Sequence, residues 1–213
     1  VDAIMFQEWG ARDAEQGWLA TGIEEIIAAA LAGWPGAALF AEWGYERNPS
    51  LPLRIPGHRH CDRDHTRRGG WRGAFCGMGV IHGFDNTWGP FLNLKEDQPG
   101  LADLLTLRRF FTQVVPFARL RPAAALLAEG EATPAGQRPL ALASAERDLV
   151  AVYLPAGGAA TLRLPRPLSD YRAAWFDPVG GAQRTAQPQG EAFIAPEGEV
   201  GGHPKDWALV LQA

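Results

Sequence analysis

The chain has only two cysteines among its 213 residues and no apolar run approaching the roughly 18 residues of a membrane span. Cys61 and Cys76 permit one disulfide but do not fix the redox compartment, and whether they pair is left open. Positive charge is not in excess either. The formal net charge is -4, and no basic face points to nucleic acid. There is no internal repeat. The first residue is Val1 rather than Met, and 3-AIMFQEW-9 already reads as a buried strand. A start inside a fold is what a fragment or processed product looks like, so the lack of a signal peptide says little about destination.

Tryptophan, by contrast, is plentiful at eight residues. Exposed indoles suit the faces of sugar rings, although Trp serves a core equally well. In the first half, short apolar runs alternate with helical patterns. After 3-AIMFQEW-9, residues 21-TGIEEIIAAALAGW-34 place apolar residues at helical spacing, and Thr21 with Glu24 forms a capping box. Pro35-Gly36 stops this helix, and 37-AALFAE-42 is the next strand. A polar loop is expected to about Thr66, then a helix from about Arg67, a Gly-rich strand 76-CGMGVIHG-83 and a helix from Pro99.

Strands alternating with helices predict parallel strands with crossover helices, an α/β layer or barrel. Three such strands would leave unpaired edges, and a full barrel runs to about 250 residues. Residues 1–121 therefore read as the C-terminal part of a (β/α)8 TIM barrel. Beyond it, helical periodicity gives way to Pro, Gly and Ala. Short strand-like runs follow at 140-LALAS-144, 149-LVAVYL-154, 159-AATLRL-164, 171-YRAAWF-176, 191-EAFIA-195 and 207-WALVLQ-212. They predict a small antiparallel β-sandwich over 122–213. The expected class is thus α/β plus all-β.

In parallel barrels the active site lies at the C-terminal ends of the strands. Gln7, Glu8 and Trp9 follow the first strand, Glu42 the second, and His82, Asp85, Asn86 and Trp88 the third. Carboxylates, aromatics, an amide and an imidazole at one mouth suit a carbohydrate substrate, with glycosidic cleavage ordinarily needing two carboxyl groups. The bland reading makes Glu42 a solvated rim residue. The cluster 58-HRHCDRDH-65 offers possible metal ligands. Its spacing lacks the paired turns of a zinc site, and Arg59, Arg63, Arg67 and Arg68 raise the local positive charge. We assign neither metal nor cofactor, and read this stretch as an arginine-rich loop walling the mouth.

The run Glu42-Trp43-Gly44-Tyr45-Glu46 resembles the E-x-x-Y-E signature of the apiosidase-like glycoside hydrolases, and Arg67 through Trp71 to 76-CGMGVIHG-83 and Trp88 is similar to that family's pattern into its last strand. His82 and Cys76 depart from it, standing where the family has Tyr and Gly. The run 174-AWFDPVGGAQ-183 with 206-DWALVLQ-212 is similar to the small β-domain that often follows such barrels and is labelled collagen-binding. Trp175, Phe176 and Trp207 are expected to be core residues there.

The resemblance implies Glu42 as nucleophile at the end of strand seven, with Glu8, Trp9, Trp43, Tyr45, Glu46, His82, Asn86 and Trp88 around the substrate. It puts the acid/base at strand four, upstream of Val1, with Glu8 the only local substitute. Arg67, Arg68 or a hydrogen bond from Tyr45 would keep Glu42 ionised. The family further implies a secreted or periplasmic enzyme. The alternative is a non-catalytic carbohydrate- or matrix-binding protein on a truncated or decayed barrel. Metal-dependent hydrolysis at the His/Cys/Asp loop is a third reading. The sequence offers no basis for an oligomeric state.

Overall fold

The computed structural model of the protein describes residues 2–7, 23–46, 61–84, 98–128 and 133–213. Strands β1 (Ala3–Phe6), β2 (Ala37–Ala41) and β3 (Gly79–Ile81) form a parallel sheet in the order β1-β2-β3. Helix α1 (Ile23–Ala30) connects β1 to β2, and α2 (Arg63–Phe75) precedes β3. Side chains alternate across a strand. One face therefore carries Phe6, Ala38, Phe40 and Val80, which pack with Trp43 and Met78. The other face carries Met5, Leu39, Ala41 and Ile81, with Met5 paired to Leu39 and Ala41 to Ile81. On that second face Met5 is 59% and Ile81 49% exposed. Parallel strands normally have both faces covered.

The expected first helix ends at Ala30 rather than running on to Trp34, and its capping box at Thr21 lies outside the described residues. Helix α2 corrects the sequence reading, because it starts four residues before Arg67. Asp62 is its N-cap, with its side chain accepting from the His65 backbone N–H at 2.8 Å. Three glycines sit inside α2, each costing about 1 kcal/mol of helix propensity relative to Ala. All three meet a neighbour: a Cβ on Gly69 would lie 2.2 Å from the Trp43 indole, one on Gly70 2.8 Å from Leu104, and one on Gly73 2.8 Å from Phe40. Helix and sheet could not approach so closely with larger residues. Helix α3 (Pro99–Arg109) starts with Pro in its first turn and continues into a π-helical turn over Phe110–Val114.

The second half is built on a six-stranded antiparallel sheet. Its strands are β4 (Arg121–Pro122), β5 (Leu140–Ala143), β6 (Leu149–Leu154), β8 (Arg172–Phe176), β9 (Gln183–Thr185) and β13 (Trp207–Gln212), in the order β4-β5-β6-β13-β8-β9. Strands β7 (Ala159–Thr161) and β10 (Ala192–Ile194) form a separate ribbon, and β11 (Glu199–Val200) with β12 (His203–Pro204) another. Val150, Val152, Leu154, Leu209 and Leu211 pack with Ala160 of β7 and Phe193 of β10. Their neighbours Leu149, Ala151, Tyr153, Ala208 and Val210 pack with Trp71, Phe75, Leu107 and Phe110 of the helical half.

This arrangement modifies the expected sandwich. A two-stranded ribbon covers one face of the sheet, and α2 and α3 cover the other. Burial on both faces explains why β6 and β13 read as continuous apolar runs rather than alternating ones. Trp175, Phe176 and Trp207 are buried in this core, as expected. Among the described residues, no helix is long and apolar enough to cross a membrane.

Candidate active site

Glu42 follows the last residue of β2, and its backbone N–H extends the ladder to Ile81 O at 3.0 Å. Its φ is +57°, a left-handed conformation that costs a non-glycine residue about 1–3 kcal/mol and clusters at functional sites. The half-buried carboxylate is held at both oxygens. Gln7 Nε2 donates to Oε2 at 2.6 Å, and the Tyr45 hydroxyl donates to Oε1 at 2.7 Å. Gln7 stands at the end of β1 and Tyr45 three residues beyond Glu42, so two strand ends meet at one acid. Two neutral, directional donors fix the plane of the carboxylate.

His82 joins the group after β3. Its ring stacks on Trp43 at 4.1 Å between centroids and meets Tyr45 edge-on at 6.0 Å. Trp43 also stacks on Phe40 at 5.2 Å and is 1% exposed. An indole covered on both faces cannot receive a sugar ring, so here it packs beneath the mouth rather than lining it. This departs from the expected substrate contact.

Glu46 differs from expectation in the same way. It is buried, and its Oε2 accepts from the Gly100 N–H at the start of α3 at 2.9 Å. A Cβ on Gly100 would stand 2.1 Å from that oxygen. Burial raises the Glu46 pKa above its ordinary 4.5, against the lowering effect of the Gly100 hydrogen bond. Glu46 ties the turn after β2 to the start of α3.

Arg67 and Arg68 were expected beside Glu42. Both are instead 0% exposed within α2 and serve a different set of acids. Arg67 Nε donates to both oxygens of Asp206 at 3.2 Å, and its Nη1 reaches Asp103 at 3.4 Å. Both arginines also bond Asp64. Arg68 donates to the carbonyls of Pro155 and Pro204. The Tyr153 hydroxyl donates to Asp206 at 2.9 Å. Burial alone would raise the Asp206 pKa, but Arg68, Arg67 and Tyr153 outweigh it and hold the group below its ordinary 3.8. This network joins the helices to the β-sheet and lies apart from the Glu42 hydrogen bonds.

The described residues of the His/Cys/Asp stretch also have structural contacts. Asp62 caps α2, Asp64 pairs with the arginines, and His65 Nε2 bonds Trp43 O at 2.8 Å. Cys61 and Cys76 are not joined by a disulfide. Among the described residues, no three His, Cys, Asp or Glu side chains group as metal ligands would. Glu8, Trp9, Asp85, Asn86 and Trp88, together with His58 and His60, lie outside the described residues. The structure therefore brings together Gln7, Glu42, Tyr45 and His82 over a base of Trp43. The roles of His65 and Asp206 had no signal in periodicity or charge, because their partners are distant in sequence.

Residues 122–212 match a family model described as "Putative collagen-binding domain of a collagenase". Compared by sequence with curated proteins, the chain has no match. Two solved structures share its fold over the whole chain. One is a glycoside hydrolase family 5 protein from Bacteroides vulgatus ATCC 8482, with a TM-score of 0.70 and 20% identity, of which the match covers 50%. The other is a glycoside hydrolase with a TM-score of 0.71 and 18% identity, of which the match covers 52%. The chain thus spans about half the length of these relatives, with a mixed α/β fold and antiparallel sheets like theirs.

Proposed function

We propose that the chain is the C-terminal portion of a glycoside hydrolase of the apiosidase-like type that cleaves O-glycosyl bonds in a polysaccharide. Residues 1–121 would be the last strands of a (β/α)8 barrel and residues 122–213 its accessory β-domain. One observation carries this reading. Glu42 sits at the C-terminal end of a parallel strand, in a left-handed conformation, with both carboxylate oxygens fixed by Gln7 and Tyr45. The open apolar face of Met5 and Ile81 supports the barrel, since such a face is covered in parallel α/β folds.

In the complete enzyme Glu42 attacks the anomeric carbon, forming a glycosyl–enzyme bond as the glycosidic bond breaks. A carboxylic acid from strand four, upstream of this chain, protonates the leaving oxygen and then activates the water that releases the sugar. This chain alone would be inactive. The Tyr45 and His82 edges, with Glu8, Trp9, Asn86 and Trp88, would contact the sugar. A secreted or periplasmic location fits a polysaccharide substrate.

The test is Glu42→Gln in the complete protein, assayed on aryl glycosides and plant or bacterial polysaccharides. Hydrolysis should disappear while circular dichroism and Tm stay near wild type. Near-normal turnover in that variant refutes the nucleophile role. A wild-type protein that binds these polysaccharides and cleaves none would favour the non-catalytic binding module, to which the family matched by the β-domain also points.

A further inference from the structure

Glu42 is strained, and strain persists only where surrounding contacts enforce it. The contacts can be followed outward. Gly44 is also left-handed, at φ +102°, so the chain turns sharply between two positive-φ residues. The peptide between them begins at the Trp43 carbonyl, which bonds His65 Nε2 at 2.8 Å in a buried setting. A carbonyl oxygen only accepts, so Nε2 must carry the proton. The His65 backbone is pinned in turn, because its N–H bonds the Asp62 cap at the start of α2. The Trp43 ring is held independently by Phe40, His82 and the missing Cβ of Gly69.

From this geometry we infer that His65 is a positioning residue for Glu42, acting through its hydrogen bond to the Trp43 carbonyl. The bond fixes the rotation of the Trp43–Gly44 peptide, which leads into the second left-handed residue. It thereby holds the turn that brings the Tyr45 hydroxyl back to the Glu42 carboxylate. His65 is buried, and its Nε2 faces a main-chain oxygen. Its role therefore differs from metal ligation and from sugar contact. The inference rests on the reading of Glu42 as the nucleophile.

The experiment compares His65→Ala, His65→Asn and His65→Gln with Glu42→Gln in the complete protein. A Gln amide nitrogen reaches about as far as imidazole Nε2 and can donate to Trp43 O, whereas Asn falls short. We expect kcat to fall about 100-fold in His65→Ala and His65→Asn, the scale of a catalytic group displaced by about 1 Å. KM should stay near wild type, and His65→Gln should recover most of the loss. Wild-type kcat in folded His65→Ala or His65→Asn overturns the inference. So does an equal fall in the Gln variant. If Ala and Asn variants fail to fold while Gln folds, His65 is a folding residue and the positioning role is lost. Retained activity in Glu42→Gln sinks the underlying nucleophile reading instead, so the two failures are distinguishable.

Discussion

Gly69 of α2 faces the indole of Trp43 so closely that a methyl group there would lie 2.2 Å from Nε1. Trp43 follows the strained Glu42, so the absence of one side chain on a helix sets the floor of the candidate site. Gly69→Ala isolates this contact. Helix propensity favours Ala by about 1 kcal/mol, but overpacking a tight interior costs about 1–3 kcal/mol. We expect a lower Tm and altered tryptophan fluorescence. A Tm equal to or above wild type would contradict the close approach.

Tyr45 and Glu42 make the second relationship that can be tested. Tyr45→Phe removes one donor from the carboxylate and leaves the ring in place beside His82. Under the proposed nucleophile role of Glu42, kcat of the complete protein should fall about tenfold to a hundredfold, the scale of a hydrogen bond to a carboxylate. Steady-state kinetics would check this, with unchanged kcat as the opposing result.

Asp206 holds the helical half to the β-sheet. Asp206→Ala takes from buried Arg67 and Arg68 one of the two acids they share, which should cost about 3–5 kcal/mol in urea unfolding. A loss below 1 kcal/mol would mean that Asp64 and Asp103 compensate. The result also bears on the β-domain. A large loss fits a sheet that scaffolds α2 rather than a detachable module.

Two buried acids should give opposite pH dependences. The folded pKa of Asp206 lies below 3.8, so its stabilisation is present above 3.8 and is lost as pH falls toward the folded value. The folded pKa of Glu46 lies above 4.5, so between these values the native state binds more protons than the unfolded state. Its contribution is therefore greatest below 4.5 and declines as pH rises through the folded value. Glu46→Gln can still accept from Gly100 N–H and should remove that decline. Thermal unfolding across pH 3 to 8 would test both signs. A Glu46→Gln profile parallel to wild type above 4.5 would count against the raised pKa.

Parts of this architecture were legible from the chain. The apolar runs at β6 and β13 mark strands because their apolar side chains are buried on both faces of the sheet. Glu42 could be placed at a strand end because 37-AALFA-41 stops there. The two-residue strands β4, β11 and β12 carry too few residues for a period to appear. The start of α2 was missed for a different reason. Its sequence RDHTRR has the composition of a solvated loop, and hydropathy cannot register that Arg67 meets an acid 139 positions away.

Local sequence alone thus determined where the chain turns apolar, where it must bend and which acid ends a strand. These properties depend on neighbours within a few residues. Tertiary structure decided which charges are interior, why three glycines occupy one helix, and that Trp43 is packing rather than a platform. Each of those depends on distance in space between residues far apart in the chain. Burial makes the distinction matter, because removing water turns an ordinary arginine or glutamate into a group that must find a partner or change its proton affinity.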